Sequence, residues 1–192
     1  MILGPGAFLR VGLLLLLAVV LQLSVIGQIG VLGGYADLIP LAVAAVAYYG
    51  GSVSGCAAGF AAGVLLDLAT GATMGAASLV LTAVGYSVGR LRELRDPSHG
   101  LLPVPVGAAA TFGWVSAYAA VSFMLEVGAT VSPLVIRDAL VTVLLNGVLA
   151  LPVFTASRRL LRPSLRVDPR DLRRRRGAPR ETGPLGLRGL EV

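Results

Sequence analysis

Long apolar runs, separated by short glycine-, proline- or arginine-bearing breaks, make up the chain as far as Arg162. Between Val11 and Arg90 the only Asp, Glu, Lys or Arg residues are Asp37 and Asp67, and between Leu101 and Thr155 they are Glu126, Arg137 and Asp138. Such stretches exceed several times over the ~18 apolar residues that a membrane-spanning helix needs. The breaks fall at turn-forming residues: Gly33-Gly34, Gly50-Gly51, Thr70-Gly71, Asp96-Pro97 and Ser132-Pro133. The pattern predicts six transmembrane helices: Val11–Ile26, Leu38–Tyr49, Val53–Leu68, Met74–Leu91, Leu101–Leu125 and Leu134–Arg158. Spans two and three, short and tightly joined, are expected to form a compact hairpin.

Charge placement orients these spans. Short arginine-rich segments stay on the cytoplasmic side, and here they are Arg10, the loop with Arg90, Arg92 and Arg95, and everything from Arg158 onward. The first span therefore runs outward. The stretch from Ala36 to Gly89 must cross an odd number of times, and its length suits three crossings of about 30 Å at about 1.5 Å per residue. Arg95 to Arg158 crosses an even number of times, which its length makes two. Both termini are then cytoplasmic. The apolar run after Arg10 is long for a signal core and lacks a small-x-small cleavage site, so it reads as a retained span.

Composition agrees with this class and adds a tail. Hydrophobic residues make up 56% of the 192 residues and charged ones 14%, well below the quarter or so that is usual for soluble domains. The net charge of +6 comes from the C-terminal tail. The organisation is thus a membrane domain over residues 1–162 and an Arg-rich cytoplasmic tail, 163–192, without apolar periodicity and expected to be disordered. Arg158, Arg159, Arg162 and Arg166 lie close enough to the membrane to meet anionic lipid, and the Arg173–Arg176 run could reach back to it.

One motif stands above the background. Gly51, Gly55, Gly59 and Gly63 recur every four residues, Asp67 takes the next step, and Gly71 and Gly75 continue the register. Small residues at this spacing let membrane helices approach backbone to backbone. Because four residues overshoot a 3.6-residue turn by about 40°, the ladder is expected to wind around span three, which would make that span central. Gly85, with Gly89, marks a second small-residue contact in span four.

Few polar residues interrupt the spans. Asp67 reads either as an intramolecular cap or as a partner contact, and an outer ion pair with Arg137 is expected because Arg137 is the only cation on that side. Asn146, and likewise Gln22, should hydrogen-bond to a facing helix. Catalytic residues are not evident: one loop histidine, His99, leaves no buried Ser/His pair, and neither paired aspartates nor a metal-ligand cluster is present. No enzyme activity, metal, cofactor or nucleic-acid partner is expected, and Cys56 reads as a small buried hydrophobe.

Pro40, the run Gly51, Gly55, Gly59, Gly63, then Leu65-Leu66-Asp67, and later Gly75, Gly85-Tyr86, Asn146 and Pro152 resemble the MreD family of rod shape-determining membrane proteins over about residues 8–162. The resemblance implies a multi-pass protein of the bacterial inner membrane and a non-catalytic scaffold of the cell-elongation, peptidoglycan-synthesising complex. Its implied partners are an MreC-like protein and, with it, MreB, RodA and a class B penicillin-binding protein. It also implies a helical fold like the substrate-binding subunits of energy-coupling-factor (ECF) transporters. The alternative function is therefore a vitamin-binding ECF-type subunit, although span one lacks the Ala-x-x-x-Ala contact such subunits carry: Ala18 is followed four residues on by Gln22.

Overall fold

A computed structural model describes residues 5–24, 26–28, 30–31, 33–71, 73–94, 103–125 and 133–165. Six helices follow in order: α1 (Pro5–Ser24), α2 (Leu38–Gly50), α3 (Ser52–Thr70), α4 (Ala76–Leu94), α5 (Pro103–Met124) and α6 (Pro133–Leu165). Three of them begin on proline, whose missing N–H costs nothing at a first helical position and whose φ already suits a helix. α6 continues to Leu165, past the expected boundary at residue 162. The residues from 166 onward, with Arg166 and Arg173–Arg176, lie outside the described residues, as do Arg95, Asp96, His99 and Glu126.

Between α1 and α2 the chain makes a 3-10 turn at Ile26–Gln28 and a two-stranded antiparallel ribbon, β1 (Gly30–Val31) and β2 (Gly34–Tyr35). Gly33, with φ of 91°, turns the ribbon in the left-handed region where a side chain would be strained.

Among the described residues, four helical segments are long and apolar enough to cross a membrane: Gly6–Gln28, Ser52–Thr70, Pro103–Met124 and Ile136–Leu161. α4 carries Arg90, Arg92 and Glu93 in its last turns and is not among them. α2 is apolar but has only 13 residues, about 20 Å against a hydrocarbon layer of about 30 Å.

That short helix is the centre of the bundle. Leu41 through Ala47 are each at most 2% exposed, and α2 touches every other helix. Its sequence, LIPLAVAAVAYYG, is apolar on all sides, as a helix enclosed all round must be. The expectation that span three would be central is therefore corrected: α3 buries one face and exposes Val53, Phe60 and Leu68 on another. α2 and α3, joined through Gly51 alone, pack against each other as the expected hairpin, but the most extensive helix–helix contact in the fold is that of α3 with α4.

Candidate functional site

The α3–α4 seam is built from the glycine ladder. A methyl group at Gly55 would strike the Gly85 carbonyl oxygen, one at Gly59 the Leu81 carbonyl, and one at Gly63 the backbone of Ser78. At the far end a methyl on Gly89 would strike Ser52. As the position on α3 rises by four, its partner on α4 falls by three or four, so the two antiparallel backbones touch along the whole seam. The ladder thus faces α4 at every step, with Ala47 of α2 also against Gly55, and does not wind around the helix. The reason is that rows of four-residue spacing are inclined to the helix axis by roughly 26°, and α4 lies along the row. Gly71 and Gly75 do not extend the seam: an added methyl at either would meet nothing within 4 Å. Their positive φ values, 65° and 97°, turn the chain between the helices instead.

Each end of the seam is closed by a carboxylate from one helix on the N-terminus of the other. Asp67, near the end of α3 and 2% exposed, accepts hydrogen bonds from the N–H groups of Gly75 (2.9 Å) and Ala77 (3.2 Å) and from the N–H and hydroxyl of Ser78 (3.4 and 3.3 Å). At the opposite end Glu93 of α4 accepts from the N–H (2.9 Å) and hydroxyl (2.7 Å) of Ser52, the first residue of α3. A helix N-terminus has unpaired N–H donors and partial positive charge, so an anion is stabilised there. The Asp67 carboxylate, expected to pair with Arg137, is engaged by Gly75 and the start of α4. Nothing in the sequence around Glu93 marks it for this role.

The Ser52 N–H and hydroxyl, with Arg90 at 3.4 Å, hold the Glu93 carboxyl below the usual carboxylate range. A carboxylate whose folded pKa is depressed contributes stability above its unfolded value, near 4.3, and loses it as pH falls through the folded value. Protection of the Ser52 amide, relative to its intrinsic exchange rate, should therefore fall as the pH is lowered below the unfolded carboxyl value. Glu93→Gln should bring faster exchange at neutral pH as well. Equal protection of Ser52 in the variant and the parent would show that the charge does not cap α3.

A second constellation surrounds the start of α2. Asp37 is its N-cap, with one carboxylate oxygen accepting from Ile39 N–H (3.2 Å) and the other from the Trp114 indole N–H (2.8 Å). Asn146 grips the same residue by its backbone. Its Oδ1 accepts from Asp37 N–H (2.9 Å), while its Nδ2 donates to the Asp37 carbonyl (2.8 Å) and to the Thr111 hydroxyl (2.9 Å). Gln22 of α1 does the same for the flanking peptide groups, donating to Ala36 O and accepting from Leu38 N–H. Thr142 Oγ1 accepts from Tyr35 N–H.

Trp114 and Asn146 sit near the middle of α5 and α6, so the non-helical backbone at Ala36 and Asp37 lies deep in the bundle. Irregular backbone at such depth survives only where side chains satisfy its polar groups. Among the described residues, no buried side-chain nitrogen or oxygen lacks a partner. The sequence signals were the fully buried Asn146 and the half-buried Gln22; the partner they grip, and the roles of Asp37, Trp114 and Thr111, were not read.

Outside the seam, a groove of about 500 Å³ opens at the Asp67 end, with Phe60 and Val64 of α3 and Ser78, Leu79 and Thr82 of α4 on its walls. Asp67 itself is engaged by Gly75 and the first residues of α4. Arg158 and Arg159 are exposed near the end of α6, whereas the side chain of Arg162 is outside the described residues.

A family model, rod shape-determining protein MreD, matches residues 5–162. The chain belongs to the MreD family. That match spans all of α1 to α5 and α6 up to Arg162, and it makes this a rod-shape-determining membrane protein. No curated protein and no solved structure matches the chain, so the expected likeness to ECF subunits stays with the sequence reading.

Proposed function

We propose that this MreD-family protein is a non-catalytic scaffold subunit of the bacterial cell-elongation complex and that it binds an MreC-like protein in the inner membrane. The observation that carries the reading is the family match over residues 5–162. RodA, a class B penicillin-binding protein and MreB join through the same assembly. The small-residue ladder is filled by α4 from Gly55 to Gly63, so a partner's transmembrane helix docks on an outer face. The tightly closed α3–α4 hairpin supplies one, exposing Phe60, Leu79 and Tyr86.

Co-purification of the tagged full chain from its native membrane tests the proposal. An MreC-like protein together with peptidoglycan-synthesis proteins is the expected company. An ATPase module with a bound vitamin would replace the scaffold by the transporter reading.

Orientation follows from arginine placement. Arg10, the Arg90–Arg92 end of α4 and the Arg158 end of α6 face the cytoplasm, with both termini inside. Reporter fusions after Ser98 and at the C-terminus should read cytoplasmic, and one after Thr130 external. An external signal at either cytoplasmic site would overturn this topology.

A further inference from the structure

The arginine-bearing end of α6 carries a groove that neither the seam nor the polar cluster uses. Its described lining is Leu151, Pro152, Thr155, Ala156, Arg159 and Leu160, around a volume of about 720 Å³. The chemistry changes along its length. Leu151 and Pro152 are apolar at the deeper end, Ala156 leaves room in the middle, and Arg159 stands exposed at the outer end. From Leu151 to Arg159 is about 12 Å along the helix, the scale of a lipid glycerol backbone and the upper part of an acyl chain.

The Thr155 hydroxyl donates to Leu151 O at 2.7 Å, so it offers only an acceptor, and Arg159 is the charged contact. Arg158 points elsewhere, within electrostatic reach of Tyr49 on α2. A guanidinium is the side chain best shaped to take a phosphate by two parallel hydrogen bonds. We infer that this groove is a binding site for one anionic phospholipid, its phosphate on Arg159 and an acyl chain along Ala156, Pro152 and Leu151.

A membrane offers anionic lipid at high local concentration, and an apolar floor below a single cation selects a lipid over a free phosphate. The site differs from diffuse attraction between basic residues and a charged surface in two ways. It saturates at one lipid per chain, and it depends on the shape of the groove as well as on charge.

The full chain in detergent, titrated with phosphatidylglycerol or phosphatidylcholine and read by native mass spectrometry, separates these cases. One phosphatidylglycerol should bind in preference to phosphatidylcholine. Arg159→Gln should weaken that first binding step about fivefold or more, the effect of one basic residue beside an anionic headgroup. Ala156→Phe, which fills the groove and leaves every charge in place, should weaken it comparably. Arg90→Gln, an exposed arginine outside the groove, should change it less than twofold.

Equal losses for Arg159→Gln and Arg90→Gln, or no loss for Ala156→Phe, would reduce the binding to surface charge and overturn the site. Displacement of the lipid by millimolar inorganic phosphate would equally overturn it, because the groove would then be reading phosphate alone.

Discussion

Gly59→Leu should leave no folded protein, and even Gly59→Ala should lower the unfolding midpoint in detergent by many degrees. A methyl group at position 59 overlaps the Leu81 carbonyl and the Thr82 nitrogen. These are backbone atoms, so no side chain can swing aside, and the helices must separate. Separation at one step also parts the contacts at Gly55 and Gly63, because the seam is continuous. Overpacking that forces backbone shifts costs about 1–3 kcal/mol in well-packed cores, and a leucine adds three more heavy atoms to the overlap. Gly113→Ala supplies the contrast. Its new methyl would lie 3.7 Å from Val84 Cγ2, an ordinary contact, so it should be neutral or slightly stabilising as alanine replaces glycine in a helix. Wild-type accumulation and melting of Gly59→Leu would mean that the α3–α4 backbones do not meet.

The ladder was legible in the sequence as a close-packing device, but its partner was not. A four-residue repeat identifies a row of small residues on one helix and says nothing of which neighbour lies along it. In a membrane the usual aid is missing, because lipid-facing and helix-facing surfaces are both apolar. Drift around an isolated helix suggested several neighbours, whereas a second helix inclined along the row meets every step. The matching glycines of α4, Gly85 and Gly89, read as a second contact of their own and not as the partner of the ladder. Their spacing of four, in reverse order against Gly55 and Gly51–Ser52, is the signal that would have paired the two helices.

Helix number and most helix ends were readable because glycine, proline and charge punctuate apolar runs. The predicted second span, Leu38–Tyr49, differs from α2 by one residue. Its meaning was missed. A helix of that length falls short of the hydrocarbon layer, so its start lies at depth and something must satisfy the irregular chain ahead of it. Asp37 at the N-cap position, with Gln22 and Asn146 as amides inside the apolar spans, was the available clue. The physics of membrane interiors says that such residues find partners. It does not say that the partner is a backbone segment more than 100 residues away in sequence, as it is for Asn146.

Asn146→Leu should be among the most damaging single substitutions outside the glycine seam, although it keeps the same number of side-chain heavy atoms and suits a membrane helix. The amide is fully buried and serves three groups at once: the N–H and carbonyl of Asp37 and the hydroxyl of Thr111. Leucine strands the Asp37 N–H where water does not reach, and leaves the Asp37 carbonyl, at the N-cap of α2, with its intrahelical bond alone. A stranded buried group costs about 1–3 kcal/mol, an appreciable part of the 5–15 kcal/mol that ordinarily separates a folded domain from its unfolded state. Asn146→Asp should not rescue the site. Its carboxylate can accept from the Asp37 N–H, but it faces the Asp37 carbonyl with no donor and adds a second acid beside the Asp37 side chain. Thr142→Val removes a hydrogen bond from the same segment at its exposed edge, to Tyr35 N–H, where water can substitute, so it should cost less than about 1 kcal/mol. Thermal melting of the three purified variants in one detergent ranks them. Parent-like melting of Asn146→Leu, or a Thr142→Val loss as large as that of Asn146→Leu, would show that Asn146 does not anchor the entry to α2.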